Sequence, residues 1–371
     1  MKSGMQIQEF ASRIQSDRTR VTDLIADTRH LEMTADDHLL IAGNRHRTTP
    51  IFHEQVRNRL KIPAKYYNRL RADHPTLLAE NVNTLFQKEP EKRLIRGMSE
   101  MEPGIDALPT ARAFLSNRFR IYDNWQVADA VLPVLSSVPN MRLESHTITD
   151  RRLYLKAVFP RIQGEVRVGD MVQAGVVISN SEIGFGRSNV ELLLYRLVCS
   201  NGMVSPEYKA GRHHVGRMLG GTDDDDGIVQ LLSDETMRAD DAAFSLKLRD
   251  LVRAATNEDI FREQLQTLRN ATKDEILQSP IDAVQALASR YPLQESEQSD
   301  ILTNLIRDGD LTRYGLSNAI TRASQDVDDY DRATELERMG GLLAHAEPKD
   351  ATWQAIAGES KASITVSRDL S

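Results

Sequence analysis

The sequence predicts an α+β chain: a mostly antiparallel sheet with flanking helices through the N-terminal and middle region, then a helical C-terminal unit. Three observations carry this. Apolar residues recur with a period of two from about Thr110 to Val204, and with the three-to-four-residue period of helices beyond Ile228. The chain has 371 residues, more than the roughly 250 to 300 at which one hydrophobic core stops growing. Its net charge of −7 averages two opposites: residues 1–221 carry 31 Lys and Arg against 24 Asp and Glu, and residues 222–371 carry 16 against 30. Charge sign and period both change near Gly220-Gly221. The expected units are a loosely ordered arm over 1–49, a basic α+β domain over 50–221, an acidic helical domain over 222–347 and a flexible tail over 348–371.

Periodicity is weak up to Thr49, where only a helix around Val21 to His30 is suggested. Ile62-Pro63 marks a boundary, because a residue before proline is pushed to extended geometry and proline suits the first turn of a helix. That helix, Ala64 to Arg71, places Tyr66, Tyr67 and Leu70 on an apolar side and stacks Lys65 on Arg69 at i,i+4. Glu89 to Pro109 holds three prolines and few apolar anchors, so it reads as a linker.

Arg118, Arg120 and Tyr122 alternate with Phe119 and Ile121, the pattern of a half-buried strand. Asp123 is placed to cap the amphipathic helix after it. In Arg151 to Phe159 the odd positions from Leu153 are apolar and Arg152, Tyr154 and Lys156 share the other face. Met171 to Ser179 and Val190 to Cys199 are apolar on both faces, as central strands are. Helices are expected over Ile228 to Ala255, Asp259 to Leu268, Ile281 to Ser289, Ser299 to Arg307 and Arg313 to Ala323. A last one begins at Tyr330 and breaks at Gly340-Gly341.

Several functional classes find no support. No apolar run approaches the roughly 18 residues that cross a bilayer, and Met1 to Phe10 lacks the apolar core of a secretory signal. The single cysteine, Cys199, allows neither an internal disulfide nor a cysteine-based zinc site, so a cytoplasmic location is expected. No phosphate-loop or HExxH motif occurs, and no catalytic residue, metal or cofactor is assigned. The adjacent pair His213-His214 would point to opposite faces of a strand, and Asp223 to Asp226 read as a self-repelling solvated loop.

The basic residues point to a polyanion. Between Arg45 and Arg71 lie eight cations against the single acid Glu54, interleaved with Phe52, Tyr66 and Tyr67. Arg45, Arg47, Arg57, Arg59, Lys61, Lys65 and Arg69 are the expected nucleic-acid contacts here. The strand faces Arg118/Arg120/Tyr122 and Arg152/Tyr154/Lys156 repeat the mixture, and Arg196, Arg212, His213 and Arg217 extend it. Cations that track phosphates beside aromatic faces that stack on bases are the means of binding single-stranded nucleic acid. The expected partner is therefore nucleic acid, single-stranded DNA in particular.

At Ile178 to Val204 the chain reads ISNSEIGFGRSNVELLLYRLVCSNGMV. This resembles the phage/plasmid-like protein family catalogued as domain of unknown function 932, through Asn180, Ser181 and Gly184, then Arg196, Cys199, Asn201, Gly202 and Met203. Arg112 to Asn124 and Thr312 to Ala323 add to the resemblance, which spans roughly Pro50 to Gly341 and implies a setting in mobile elements without fixing a chemistry. The residues themselves read as architecture. Asn201-Gly202 favours a turn after a strand, and Asn180-Ser181 can cap a turn. Arg196, in an apolar strand, either faces a cleft with Arg152 and Lys156 or pairs with Glu182 or Glu191.

The leading expectation is a non-enzymatic DNA-binding protein of mobile-element DNA metabolism that binds or anneals single strands. A metal-dependent hydrolase or nuclease using His213, His214 and Asp223 to Asp226 stands as an alternative. So does a structural or regulatory homo-oligomer whose basic face meets the acidic unit of a neighbour.

Overall fold

The computed structural model describes residues 6–100, 108–186, 188–212 and 234–358. They form an α+β fold with two sheets and a helical C-terminal region.

The first sheet is built from both ends of the N-terminal 116 residues. Helix α1 (Ile7–Arg20) runs directly into strand β1 (Val21–Asp27), and β2 (Leu31–Met33), β3 (His38–Ile41) and β4 (Asn44–Thr48) follow as short strands. Helices α2 (Pro50–Arg59), α3 (Ala64–Asp73) and α4 (Pro75–Lys88) precede β5 (Lys92–Met98) and β6 (Thr110–Ser116). The order is β1-β5-β6-β4-β3-β2, antiparallel except where β4 meets β6. The three helices cover one face, with Leu39, Phe52, Val56, Tyr67, Val82, Phe86 and Phe114 in the core between them.

Three expectations are corrected here. Residues 7–48 supply a helix and four strands instead of a loose arm; the suggested helix at Val21 to His30 is β1 and a short 3-10 turn; the supposed linker contains β5. The physical reason is local. On the edge strand β1, Leu24 and Ile25 face solvent, so no burial period marks it. On β5, Arg96 is fully buried among Asp23 at 3.0 Å and Asp123 at 2.8 Å, so a charge stands where a core residue was sought.

The second sheet is an antiparallel meander. Helix α5 (Asn124–Ser137) leads into β7 (Arg142–Ile148), β8 (Leu153–Glu165), β9 (Met171–Asn180), β10 (Ser188–Arg196) and β11 (Asn201–Arg212), ordered β11-β10-β9-β8-β7. Asp123 starts α5 as expected, its backbone N–H bonded to Gln126 Oε1 at 2.8 Å. One face of the sheet packs with α5, α6 (Asp234–Ala254) and α7 (Glu258–Ala271) around Leu155, Phe159, Val131, Leu248 and Leu265. The remaining helices are α8 (Pro280–Arg290), α9 (Glu295–Asp308), α10 (Arg313–Ala323), α11 (Tyr330–Ala344) and α12 (Ala351–Ala357). They enclose a separate core of Leu287, Ile301, Leu305, Leu316, Ile320, Leu336 and Trp353. Trp353 lies on α12, so the start of the expected tail is an anchored helix.

α10 and α11 also pack on the second sheet's other face. The break expected at Gly340-Gly341 does not occur. A Cβ at Gly341 would strike the Val204 carbonyl and one at Gly340 the Thr321 side chain, so these glycines let α11 approach β11 and α10 closely. The two sheets meet through Ile51, Leu94, Leu115 and Ile183, and through Arg96, whose Nη1 donates to the Glu182 carbonyl at 3.0 Å. No described helix is long and apolar enough to cross a membrane. The expected boundary at Gly220-Gly221 lies outside the described residues.

Candidate nucleic-acid interface

The two cationic-aromatic strand faces are not open surfaces. Arg118 to Tyr122 forms no strand and links β6 to α5. Arg118 is half-buried, while Arg120 is buried against α6, with Nη1 2.5 Å from Asp240 Oδ2 and Nη2 2.8 Å from Asp241 Oδ1. The Tyr122 hydroxyl lies 2.8 Å from Ser245 Oγ and its ring meets Phe244 edge-on.

On β8 every residue from Leu153 to Phe159 is buried. Tyr154 donates to Asp331 Oδ1 at 2.8 Å, and burial pushes its phenol above the usual range. Lys156 Nζ donates to Glu337 Oε2 at 2.5 Å and Thr334 Oγ1 at 3.2 Å, with the Tyr330 ring 4.8 Å away. Burial holds Lys156 below the ordinary lysine value, against the pull of Glu337. Arg152 is half-buried over Gly186. The period-two pattern did identify a polar face, but α11 covers it with Asp331, Thr334 and Glu337, spaced to lie along one side of a helix. That spacing is the signal that could have revealed the cover.

The motif residues tie the second sheet to its neighbours. Arg196 grips Asp170 through Nε at 2.6 Å and Nη2 at 2.9 Å, and Tyr314 donates to the same carboxylate at 3.0 Å. This corrects both expected settings of Arg196, since Glu182 pairs with Arg112 at 3.0 Å and Glu191 with Arg338 at 2.6 Å. Asn180 Nδ2 donates to Tyr122 O and Asn124 Oδ1, and Ser181 Oγ donates to Arg151 O and accepts from Phe185 N. Within that turn Gly184 takes a φ of +85°. The next hairpin is Leu197 to Ser200, with Ser200 at a φ of +50°, so Asn201-Gly202 opens β11 instead of forming the turn. Asn201 Nδ2 donates to Thr321 Oγ1 on α10. Cys199 belongs to the hairpin, half-buried with Arg196 Nη1 3.4 Å from its sulfur, and is not packed in a strand.

The N-terminal cluster is different. Thr49 caps α2 by accepting from Phe52 N, Pro50 fills the first helical position, and Ile62 N closes the helix end onto Arg57 O at 2.9 Å. Tyr67 and Leu70 anchor α3 in the core, which turns Tyr66 outward, 51% exposed, contrary to its expected place on the apolar side. Some cations here are engaged: Arg45 with Asp36, Arg47 with Glu100 at 2.9 Å, Arg59 with Glu91 at 2.5 Å. Lys61, Lys65 and Arg69 are exposed and, among the described residues, in no ion pair.

Beside them, α2, α3 and the turn before β3 enclose an open pocket of about 610 Å³ lined by Asp37, His53, Glu54, Arg57, Asn68 and Arg71. Asp37 sits at a φ of +66° and accepts from Arg71 Nε and Nη2, with His53 Nε2 at 3.0 Å. Burial raises its carboxyl pKa, but the hydrogen bonds from His53 and Arg71 outweigh that and hold it well below the usual range. His53 is itself saturated, its Nδ1 2.8 Å from the Tyr67 hydroxyl and its Nε2 2.8 Å from Thr48 Oγ1. Sequence reasoning counted Arg71 in the basic cluster but did not single out Asp37, His53 or Asn68. The available signal was His53 and Arg57 at i,i+4 on a helix facing the Asn68–Arg71 turn of the next one.

Arg212 lies at the end of β11, and His213, His214, Arg217 and Asp223 to Asp226 lie outside the described residues. Among the described residues no group of three or more His, Cys, Asp or Glu is placed to hold a metal ion. A family model described as Domain of unknown function (DUF932) matches residues 113–341. No curated protein and no solved structure matches the chain. The α2–α3 surface lies N-terminal to the matched residues.

Proposed function

The chain belongs to the family described as a domain of unknown function, DUF932, and on that premise we propose that it is a non-enzymatic DNA-binding protein of mobile-element DNA metabolism. In this reading it acts in the cytoplasm and engages single-stranded DNA through the α2–α3 surface. The observation that supports it is that Lys61, Lys65 and Arg69, flanking the exposed Tyr66 in the sequence, are exposed and, among the described residues, in no ion pair. Several of the other expected cations meet acids of the same chain, as Arg120 does at Asp240, Lys156 at Glu337 and Arg196 at Asp170. Free cations supply the counterion-release term of nucleic-acid affinity, and an exposed aromatic ring favours an unpaired base over a duplex.

Binding to labelled single-stranded and duplex DNA over a salt series tests this. Wild-type affinity for the single strand should fall with salt, and the combined Lys61→Ala, Lys65→Ala and Arg69→Ala variant should show a log–log slope shallower by about 2, at roughly 0.7 per phosphate contact. Tyr66→Ala should lose roughly 1 to 3 kcal/mol on the single strand. Absence of binding at low salt, or an unchanged slope in the triple variant, overturns the reading.

A further inference from the structure

The pocket between α2 and α3 holds guanidinium N–H groups that no described residue takes up in a hydrogen bond. Arg71 gives Nε and Nη2 to Asp37, which leaves its Nη1 without a partner among the described residues. Arg57 gives Nη1 to Asn58 Oδ1 at 2.9 Å, while its Nη2 stands 3.7 Å from Glu54 and Arg151 Nη2 stands 3.6 Å from the same carboxylate, both beyond a good hydrogen bond. The pocket wall thus carries two guanidinium groups and two carboxylates, with Arg151 next to Glu54 behind it, and one of those carboxylates, Asp37, is already committed to Arg71 and His53. Asn68 adds an exposed side-chain amide on the same wall.

We propose that this pocket is a phosphate site, in which Arg57 and Arg71 donate to the phosphate group of a nucleotide and Asn68 lies against it. Guanidinium groups suit this ligand because their planar fork matches the spacing of phosphate oxygens. Asp37 acts as the positioning residue, fixing the Arg71 fork so that its free edge faces the pocket. Lys65, one turn before Asn68 and Arg69 on α3, continues the cationic path out of the pocket, which orients a strand over the exposed surface. The inference rests on the proposed nucleic-acid reading for its strand, but the phosphate chemistry is the same for a free nucleotide.

The test uses the full chain, wild type against Arg57→Ala and Asn68→Trp. The second variant keeps every cation and fills the pocket, and thermal melting confirms that both fold. Each protein is titrated with adenosine 5′-monophosphate by calorimetry and with a labelled single-stranded oligonucleotide by anisotropy. Both variants should weaken oligonucleotide binding on the order of tenfold, as expected for loss of a charged hydrogen bond. If wild type binds the oligonucleotide and both variants bind it equally well, the pocket inference fails while the nucleic-acid reading stands. If wild type binds only the monophosphate, and both variants lose it, the pocket is a free-nucleotide site and the strand reading fails. If wild type binds neither, both fail.

Discussion

Lys61 carries two roles that pull against each other. It follows α2 at a φ of +54°, in the left-handed region that glycine commonly occupies at helix ends, and a Cβ there costs roughly 1 to 2 kcal/mol. Its ammonium, like Lys65 and Arg69 on the proposed surface, is in no ion pair among the described residues. Lys61→Gly should therefore raise stability by about 0.5 to 1 kcal/mol in a urea titration while weakening single-strand binding. A less stable variant with unchanged binding would remove the rationale for a lysine at this position. The sequence disclosed the boundary at Ile62-Pro63 and the cation itself, because proline and charge are local properties. It could not disclose the positive φ, which depends on how α3 is seated by Tyr67 and Leu70.

At the scale of elements, the pairing of β8 with α11 decides what is surface and what is interior. Lys156 and Glu337 are both fully buried, and Glu337 Oε1 has no hydrogen-bond partner among the described residues, so the carboxylate depends on its contact with Lys156. Lys156→Met alone should cost about 3 to 5 kcal/mol, because it strands a buried carboxylate. Lys156→Met with Glu337→Leu should recover most of that loss. Denaturant unfolding of the two variants reads the difference directly, and a single variant as stable as the double would contradict the burial described here. The same pairing explains what the sequence revealed. α10 was legible at Arg313 to Ala323 because its apolar period is complete in one segment. The face of Tyr154 and Lys156 was legible as polar and wrongly placed in solvent, since its cover comes from residues 331–337, nearly 180 positions later. β1 and β5 were missed for the converse reason: one exposes Leu24 and Ile25, and the other buries Arg96.

For the whole molecule, the split of −7 into a basic first part and an acidic second part gains a structural meaning. Acids of α6 and α11 meet Arg120 and Lys156 within the chain, and Arg338 of α11 returns the exchange at Glu191. Part of the asymmetry is therefore internal complementarity, between the β6–α5 link and α6 and between the second sheet and α11, and both faces of that sheet are occupied. On the first sheet's helices, beside the pocket of Arg57 and Arg71, Lys61, Lys65 and Arg69 are exposed and, among the described residues, in no ion pair. The most direct test of this division is photo-cross-linking of the full chain to a single-stranded oligonucleotide carrying 4-thiothymidine, with the attached peptides identified by mass spectrometry. Adducts should fall within residues 57–71, with Tyr66 prominent; adducts concentrated instead on residues 153–204 of the second sheet would contradict the account.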